Sequence, residues 1–436
     1  MKLKKVLIIL IISCIGFSCY AQVSRRDVIS LTLDYYELKQ KAATKKEKLE
    51  EKRERIEKEK REVVGGEKWE RMKALFKKYF RENLKLFAEL SLEYNDNIYR
   101  THTDETSDFI TRFSAGANFI PKVTEEVAKT GIFFSLRGDA LGYSSESSES
   151  TGNLYSKVGL THRFTKIHGI TFDFGADKIL ATASEITGTG VVGELVDHWR
   201  ISYGAKLDSA VGRFPWDASY RLEENRFEGK FDYSDYDKEV VSFTGYIPLR
   251  GKRNLFAEYE MGDVEYPNRL NAGWDYDKFW LGARGKIFRK FDGLIKFGWG
   301  NYEFANGREK DTEDWRAELG YTPRKNFILR FAGGQSIEPT TYTGDDHSKQ
   351  TDLEFSCRYL PPKLKKVILG AGISWTNYDF DTGREDDLWQ YYARGDYKMN
   401  KWFRIALRYE HNSRDSNIPI REYEQNIVSL ILRGDF

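Results

Sequence analysis

Cysteine is nearly absent from this chain. Of its three, Cys14 and Cys19 fall within the first 19 residues and only Cys357 lies in the body. Export with cleavage after Ala21 leaves that single thiol, which excludes a disulfide framework and any metal site built on cysteine pairs. Proline (9) and methionine (4) are scarce too. After the first 20 residues there is no long apolar run, and the mean hydropathy of -0.61 excludes a bundle of apolar membrane helices. Neither sign of charge dominates: 69 Lys and Arg against 67 Asp and Glu give +2. The cations are scattered and form no compact patch, so no nucleic-acid partner is expected. What the chain does have is aromatic side chains, with 28 Phe, 26 Tyr and 10 Trp, the composition of many strands joined by polar turns.

Residues 1–21 read as an export signal. Lys2, Lys4 and Lys5 precede an apolar run from Val6 that reaches Phe17, and Cys19-Tyr20-Ala21 offers small residues for cleavage. Ile11-Ile12-Ser13 before Cys14 is also compatible with lipoprotein processing. On either reading the protein leaves the cytoplasm. Residues 22–85 form a charged periplasmic segment, helical or partly disordered. Its stretch 39–62 is dominated by Lys, Glu and Arg. A seven-residue spacing of Tyr35, Ala42, Leu49, Ile56 and Val63 leaves a coiled coil open. After Gly65-Gly66, the residues Trp69, Met72, Leu75, Phe76, Tyr79 and Phe80 recur at helical spacing as one apolar stripe. That stripe could pack on a barrel rim, plug a lumen, or dock a periplasmic or inner-membrane export partner.

From residue 86 to 436 the period changes to two. Phe403, Ile405, Leu407 and Tyr409 alternate with Arg404, Ala406, Arg408 and Glu410, and Leu353, Phe355, Cys357 and Tyr359 alternate with Asp352, Glu354, Ser356 and Arg358. Such segments are long for a soluble sandwich and one face is heavily charged, which suits a wet interior while the apolar face meets outer-membrane lipid. The expected fold is all-β, a transmembrane antiparallel β-barrel of about eighteen strands, with the N-terminal α-helical periplasmic extension. Connections alternate in length. Short ones fall at 166–168, 251–253, 289–291, 323–325 and 399–401, long ones at 144–153, 185–196, 305–312, 342–349 and 379–387. In such barrels short turns face the periplasm.

The chain ends on Val428, Leu430, Leu432, Gly434 and Phe436, an alternation closing on an aromatic residue that reads as a signal to the barrel assembly machinery. The first strand and its loop read Leu92-Glu93-Tyr94-Asn95-Asp96-Asn97-Ile98-Tyr99-Arg100, followed by Ser107-Asp108-Phe109-Ile110-Thr111 and Ala115-Gly116. This resembles the opening hairpin of the putative outer-membrane β-barrel porin type 2 family, often associated with exopolysaccharide synthesis and export. The resemblance covers the barrel and not residues 22–85. It implies a channel exporting a polysaccharide or other surface polymer. The alternation by itself implies only a barrel, which could equally be a general diffusion porin or a non-conducting anchor for a periplasmic complex.

The candidate lumen-lining charges are Arg112, Arg137, Arg163, Arg200, Arg221, Arg284, Arg316, Arg330, Arg358, Arg394, Arg404, Arg408, Glu318, Glu354 and Asp396. They can serve as cross-strand ion pairs stiffening a wet wall, or as a basic track drawing anions. Enzyme chemistry is not expected. The six histidines, His102, His162, His168, His198, His347 and His411, stand in no recognisable catalytic or metal-ligand spacing. No cofactor is implied. Asp379-x-Asp381-x-Gly383 is reminiscent of a calcium loop but lacks its full ligand spacing. Tyr266, Trp274, Tyr276 and Tyr342 could stack on sugars or simply pack over the mouth.

Overall fold

The computed structural model describes residue 80 and residues 83–436, except 104, 121–128, 166, 183–194, 211–213, 250–251, 271, 289 and 340–346. The export signal, the charged segment and Trp69, Met72, Phe76 and Tyr79 lie outside the described residues, and so does the expected helical extension. Phe80 is helical and exposed.

Eighteen strands follow: β1 Leu84–Asn95, β2 Asp108–Phe119, β3 Thr130–Tyr143, β4 Thr151–Arg163, β5 His168–Thr182, β6 Leu195–Ser209, β7 Trp216–Phe227, β8 Tyr236–Leu249 and β9 Arg253–Glu265. The second half comprises β10 Gly273–Phe288, β11 Phe291–Phe304, β12 Glu309–Arg324, β13 Phe327–Pro339, β14 His347–Tyr359, β15 Val367–Phe380, β16 Glu385–Lys398, β17 Phe403–Ser416 and β18 Tyr423–Asp435. Each strand pairs with its chain neighbours, and β18 returns to β1, so the sheet closes. Closure removes every sheet edge within the lipid layer, where an unpaired backbone group would cost several kcal/mol.

The closing seam runs antiparallel from Phe87 opposite Asp435 to Asn95 opposite Ile427. Leu86 and Phe436 exchange both backbone hydrogen bonds, at 3.1 and 2.8 Å, and the Phe436 ring packs on Trp402 and Phe403. Both ends of the barrel therefore lie at one rim, called here the terminal rim.

Strand length exceeds the roughly 9–11 residues a tilted strand needs to cross lipid; the strands run from 12 to 16 residues. The excess projects at the far rim and corrects two connections. Residues 305–312 and 379–387 are not long loops. Phe304 N–H donates to Arg308 O and Phe380 N–H to Arg384 O, each at 2.9 Å, closing four-residue turns with Gly307 (φ 81°) and Gly383 (φ 83°) in the left-handed region. Alternating hydrophobicity stops where the lipid stops, but the backbone ladder continues into polar sequence.

Candidate functional site: the inner wall and its constriction

The register assigns each side chain to a face. Phe297, Trp299, Phe279, Leu281, Phe355 and Leu407 all share one face and are 44–59% exposed. The opposite face holds the buried polar groups, among them Ser114, Asp139, Asp173, Ser374, Asp396 and Glu410. This is the reverse of a soluble protein and is what lipid on the outside and water within demand.

The charged candidates lie on that inner face, and most have a counter-ion. Arg112 pairs with Glu93 at 3.4 Å, Arg137 with Asp139 at 2.7 Å, Arg200 with Asp177 at 2.7 Å, Arg316 with Glu318 at 2.7 Å, Arg394 with Asp396 at 2.8 Å and Arg404 with Asp435 at 3.1 Å. Arg163 pairs with Asp208, and Arg408 with Glu410. Arg284 instead stands over the Tyr246 ring, 4.1 Å from its centroid. Arg221 lies opposite Gly204, Arg330 opposite Ser356, Glu354 opposite Ser374 and Arg358 opposite Gly370, which puts all four on the same face.

Many of these pairs do not cross between strands. In Arg137-x-Asp139, Arg316-x-Glu318, Arg384-x-Asp386, Arg394-x-Asp396, Arg408-x-Glu410 and Arg433-x-Asp435 the partners are two residues apart on one strand or at its end. A spacing of two returns a side chain to the same face, so the Arg-x-acid pattern is the sequence signal that marks these pairs.

Between β8 and β12 the wall is aromatic but covered. A Cβ on Gly298 would come within 2.5 Å of the Trp280 ring, and one on Gly262 within 2.7 Å of Tyr276. Only glycine lets these rings lie flat on the wall. Lys296 Nζ then sits 4.0 Å from the Trp280 ring centroid and bonds Glu258 at 3.1 Å. Lys278 Nζ lies 5.1 Å from both Tyr276 and Tyr302 and 2.8 Å from Asp314. Trp280 and Tyr246 are buried, so these rings support cations and do not face the passage.

No motif in the sequence marks the constriction. Pairing between β12 and β13 ends at Trp315 opposite Gln335, although β12 continues for 309–314 and β13 for 336–339. The tip of β13 leaves the wall. Ile337 packs among Val264, Tyr266, Trp274, Tyr276, Tyr302 and Phe304, and Lys238 Nζ of β8 bonds Glu338 Oε2 at 2.9 Å. Four strands separate β8 from β13, an arc of roughly 24 Å at ordinary strand spacing. A direct side-chain bond therefore spans the chord of that arc. Tyr266, Trp274 and Tyr276 pack this cluster and do not stand over the mouth as sugar platforms; Tyr342 lies outside the described residues.

The start of β14 follows β13 inward. His347 stacks on Phe304 at 4.3 Å and meets Trp274 edge-on at 5.8 Å. Above it the β11–β12 and β15–β16 turns join, because Asp381 receives Arg308 at 2.7 Å and Lys310 at 3.0 Å and lies 3.4 Å from His347. Burial pushes the Asp381 carboxyl up, but Lys310, His347 and Arg308 outweigh it and hold it below the usual carboxylate range. The segment that resembles a calcium loop is thus already filled by the protein's own cations. No cluster of metal-ligating side chains occurs among the described residues.

A closed barrel with an apolar exterior, a charged interior and a narrowed mouth defines an outer-membrane, porin-like channel. The chain belongs to the family described as Putative beta-barrel porin 2, whose model matches residues 84–436. None of the curated proteins matches it. Among solved structures it is similar to OccAB3 of Acinetobacter baumannii, at 11% identity over 81% of this chain and 98% of that one with a TM-score of 0.44. It is also similar to OccK2 (OpdF) of Pseudomonas aeruginosa, solved in complex with glucuronate, at 10% identity, 81% and 97% coverage and a TM-score of 0.46. Against OprD of Pseudomonas aeruginosa the values are 11%, 81%, 95% and 0.43.

Proposed function

We propose that this barrel is a passive, weakly ion-selective channel for hydrophilic solutes, with its bore set by the β13–β14 hairpin. The observation that carries this reading is the pairwise neutralisation of the inner wall. Fixed charges steer ions through their unbalanced field. A wall in which most arginines face a carboxylate stays wet while favouring neither sign, which argues against a basic track for anions.

Export of an exopolysaccharide is a narrower form of the same proposal, supported by the family resemblance. In that form residues 22–85 lie in the periplasm, where the stripe from Trp69 to Phe80 plugs the lumen or docks an export partner. The Phe436 strand is what the assembly machinery would recognise.

Single-channel recording in planar bilayers tests the proposal, comparing the chain from Gln22 with one beginning near Asn83. The expected result is conductance with a reversal potential near zero in a salt gradient, together with entry of neutral sugars in vesicle swelling. Conductance only in the shorter form makes the removed segment a plug, and block by a long glycan favours polymer passage. A barrel that refolds and never conducts would sink the channel reading in favour of an anchor.

A further inference from the structure

The terminal rim carries charge of a different kind from the lumen. Five consecutive turns on this rim, β8–β9, β10–β11, β12–β13, β14–β15 and β16–β17, occupy residues 250–253, 286–291, 322–327, 360–367 and 398–403. Their described residues hold eleven Lys or Arg and no Asp or Glu. Arg253, Lys290, Lys363, Lys365, Lys366 and Lys401 are all exposed, and among the described residues none of the six pairs with a carboxylate. In the lumen the opposite holds, with most arginines matched to a carboxylate.

These turns form one belt. Arg253 Nε donates to Lys286 O at 2.9 Å, Lys290 Nζ to Pro323 O at 2.7 Å, Asn326 Nδ2 to Leu360 O at 3.2 Å and Lys366 Nζ to Met399 O at 3.2 Å. Each bond ties one turn to the next across more than half of the strands. Between the cations stand exposed apolar side chains, Phe288 (67%), Leu364 (57%), Met399 (47%) and Trp402 (44%), with Lys401 Nζ 4.7 Å from the Trp402 ring. Apolar and aromatic groups beside lysines at the edge of a lipid-facing band are the composition of a membrane interface.

A merely solvated surface would mix signs at both ends. Instead, the other ends of these strands carry acids on their outer face: Asp263, Asp275, Glu303 and Asp311 share the face of Trp299 and Phe279. These strands thus end in cations without a carboxylate partner at the terminal rim and in outward-facing acids at the other.

We infer that the terminal rim binds anionic phospholipid head groups of the adjoining leaflet, through the belt of turns from β8–β9 to β16–β17. Head-group phosphates supply the missing counter-ions while Phe288, Leu364 and Trp402 enter the acyl boundary. The inference rests on the barrel being a membrane channel, and it does not depend on what passes through. Charge at such a surface attracts anionic lipid and is weakened by salt.

The test uses the full-length chain in vesicles with spin-labelled phosphatidylglycerol or phosphatidylcholine, reading the fraction of label immobilised. Wild type is expected to prefer phosphatidylglycerol, less so at high salt. In Lys363→Gln/Lys365→Gln/Lys366→Gln the preference should be at least about halved, and the corresponding Arg triple should keep it. Heat-modifiable gel migration confirms that each variant is a folded barrel, and its loss in wild type would instead undo the membrane reading itself. Equal immobilisation of both lipids by wild type overturns the inference. So does a preference untouched by the Gln triple, or an acidic periplasmic protein occupying the belt in a barrel indifferent to lipid charge.

Discussion

Breaking the Lys238–Glu338 bond should widen the passage without unfolding the barrel. The atoms are 2.9 Å apart, and the two side chains are 24% and 23% exposed. Exposed pairs contribute below about 1 kcal/mol and loss of one partner of a buried pair costs about 3–5, so removal of either partner here should cost about 2 kcal/mol. That is a shift of about thirtyfold in the ratio of latched to released hairpin. Release will be incomplete, since Ile337 remains packed among aromatic side chains and Ser336 still bonds residue 338 in the native chain at 2.8 Å. Lys238→Met and Glu338→Gln should each add a higher conductance level, visited in bursts, in single-channel records. Lys238→Glu and Glu338→Lys should each go further by setting like charges together, and the double reversal should restore the wild-type level. All effects should shrink in high salt. Identical conductance and flicker in wild type, Lys238→Met and Glu338→Gln would refute the argument, because the hairpin would then not limit the bore.

Three further outcomes follow from the wall. Arg408→Gln leaves Glu410 uncompensated and should move the reversal potential toward cation preference; Glu410→Gln should move it the other way, and the double variant should return it to wild type. Gly298→Val puts methyl groups where the Trp280 ring lies, at a cost of about 1–3 kcal/mol; a lower melting temperature with altered tryptophan emission checks it, and Gly298→Ala should do the same more mildly. The Asp381 clasp depends on a depressed carboxyl, so its stabilisation is fully present above the ordinary value of 3.8 and is lost only as pH falls through the lower folded value. Hydrogen exchange of the β11–β12 and β15–β16 turns should therefore match at pH 7 and 5 after rate correction. It should rise below pH 3.8, and Asp381→Asn should show the rise already at pH 7.

The barrel was legible because lipid imposes a strict rule on every strand. Alternate residues must be apolar, and the rule gives about eighteen strands, the number observed. Its failures are local and have a physical cause. Residues 309–312 precede the first apolar outward position of β12, so nothing marks them as strand, although Asp311 pairs with Asn301 in the ladder. The inward hairpin was not legible at all. Lys238 and Glu338 stand 100 residues apart, and neither neighbourhood signals that β13 abandons β12 above Gln335. Such a contact depends on where the wall bends, a property of the closed sheet and not of any one segment.

The pairing of arginine with an acid two residues along the same strand bears on how the barrel is built. A strand such as β16 brings Arg394 and Asp396 as a ready-made neutral unit. It can leave water for the membrane without waiting for a neighbour to discharge it. The same economy removes charge as a guide to alignment, since a strand slipped by two residues past its neighbour would still be neutral. Correct register then has to be read from shape, from rings such as Trp280 and Tyr276 finding the glycines beneath them.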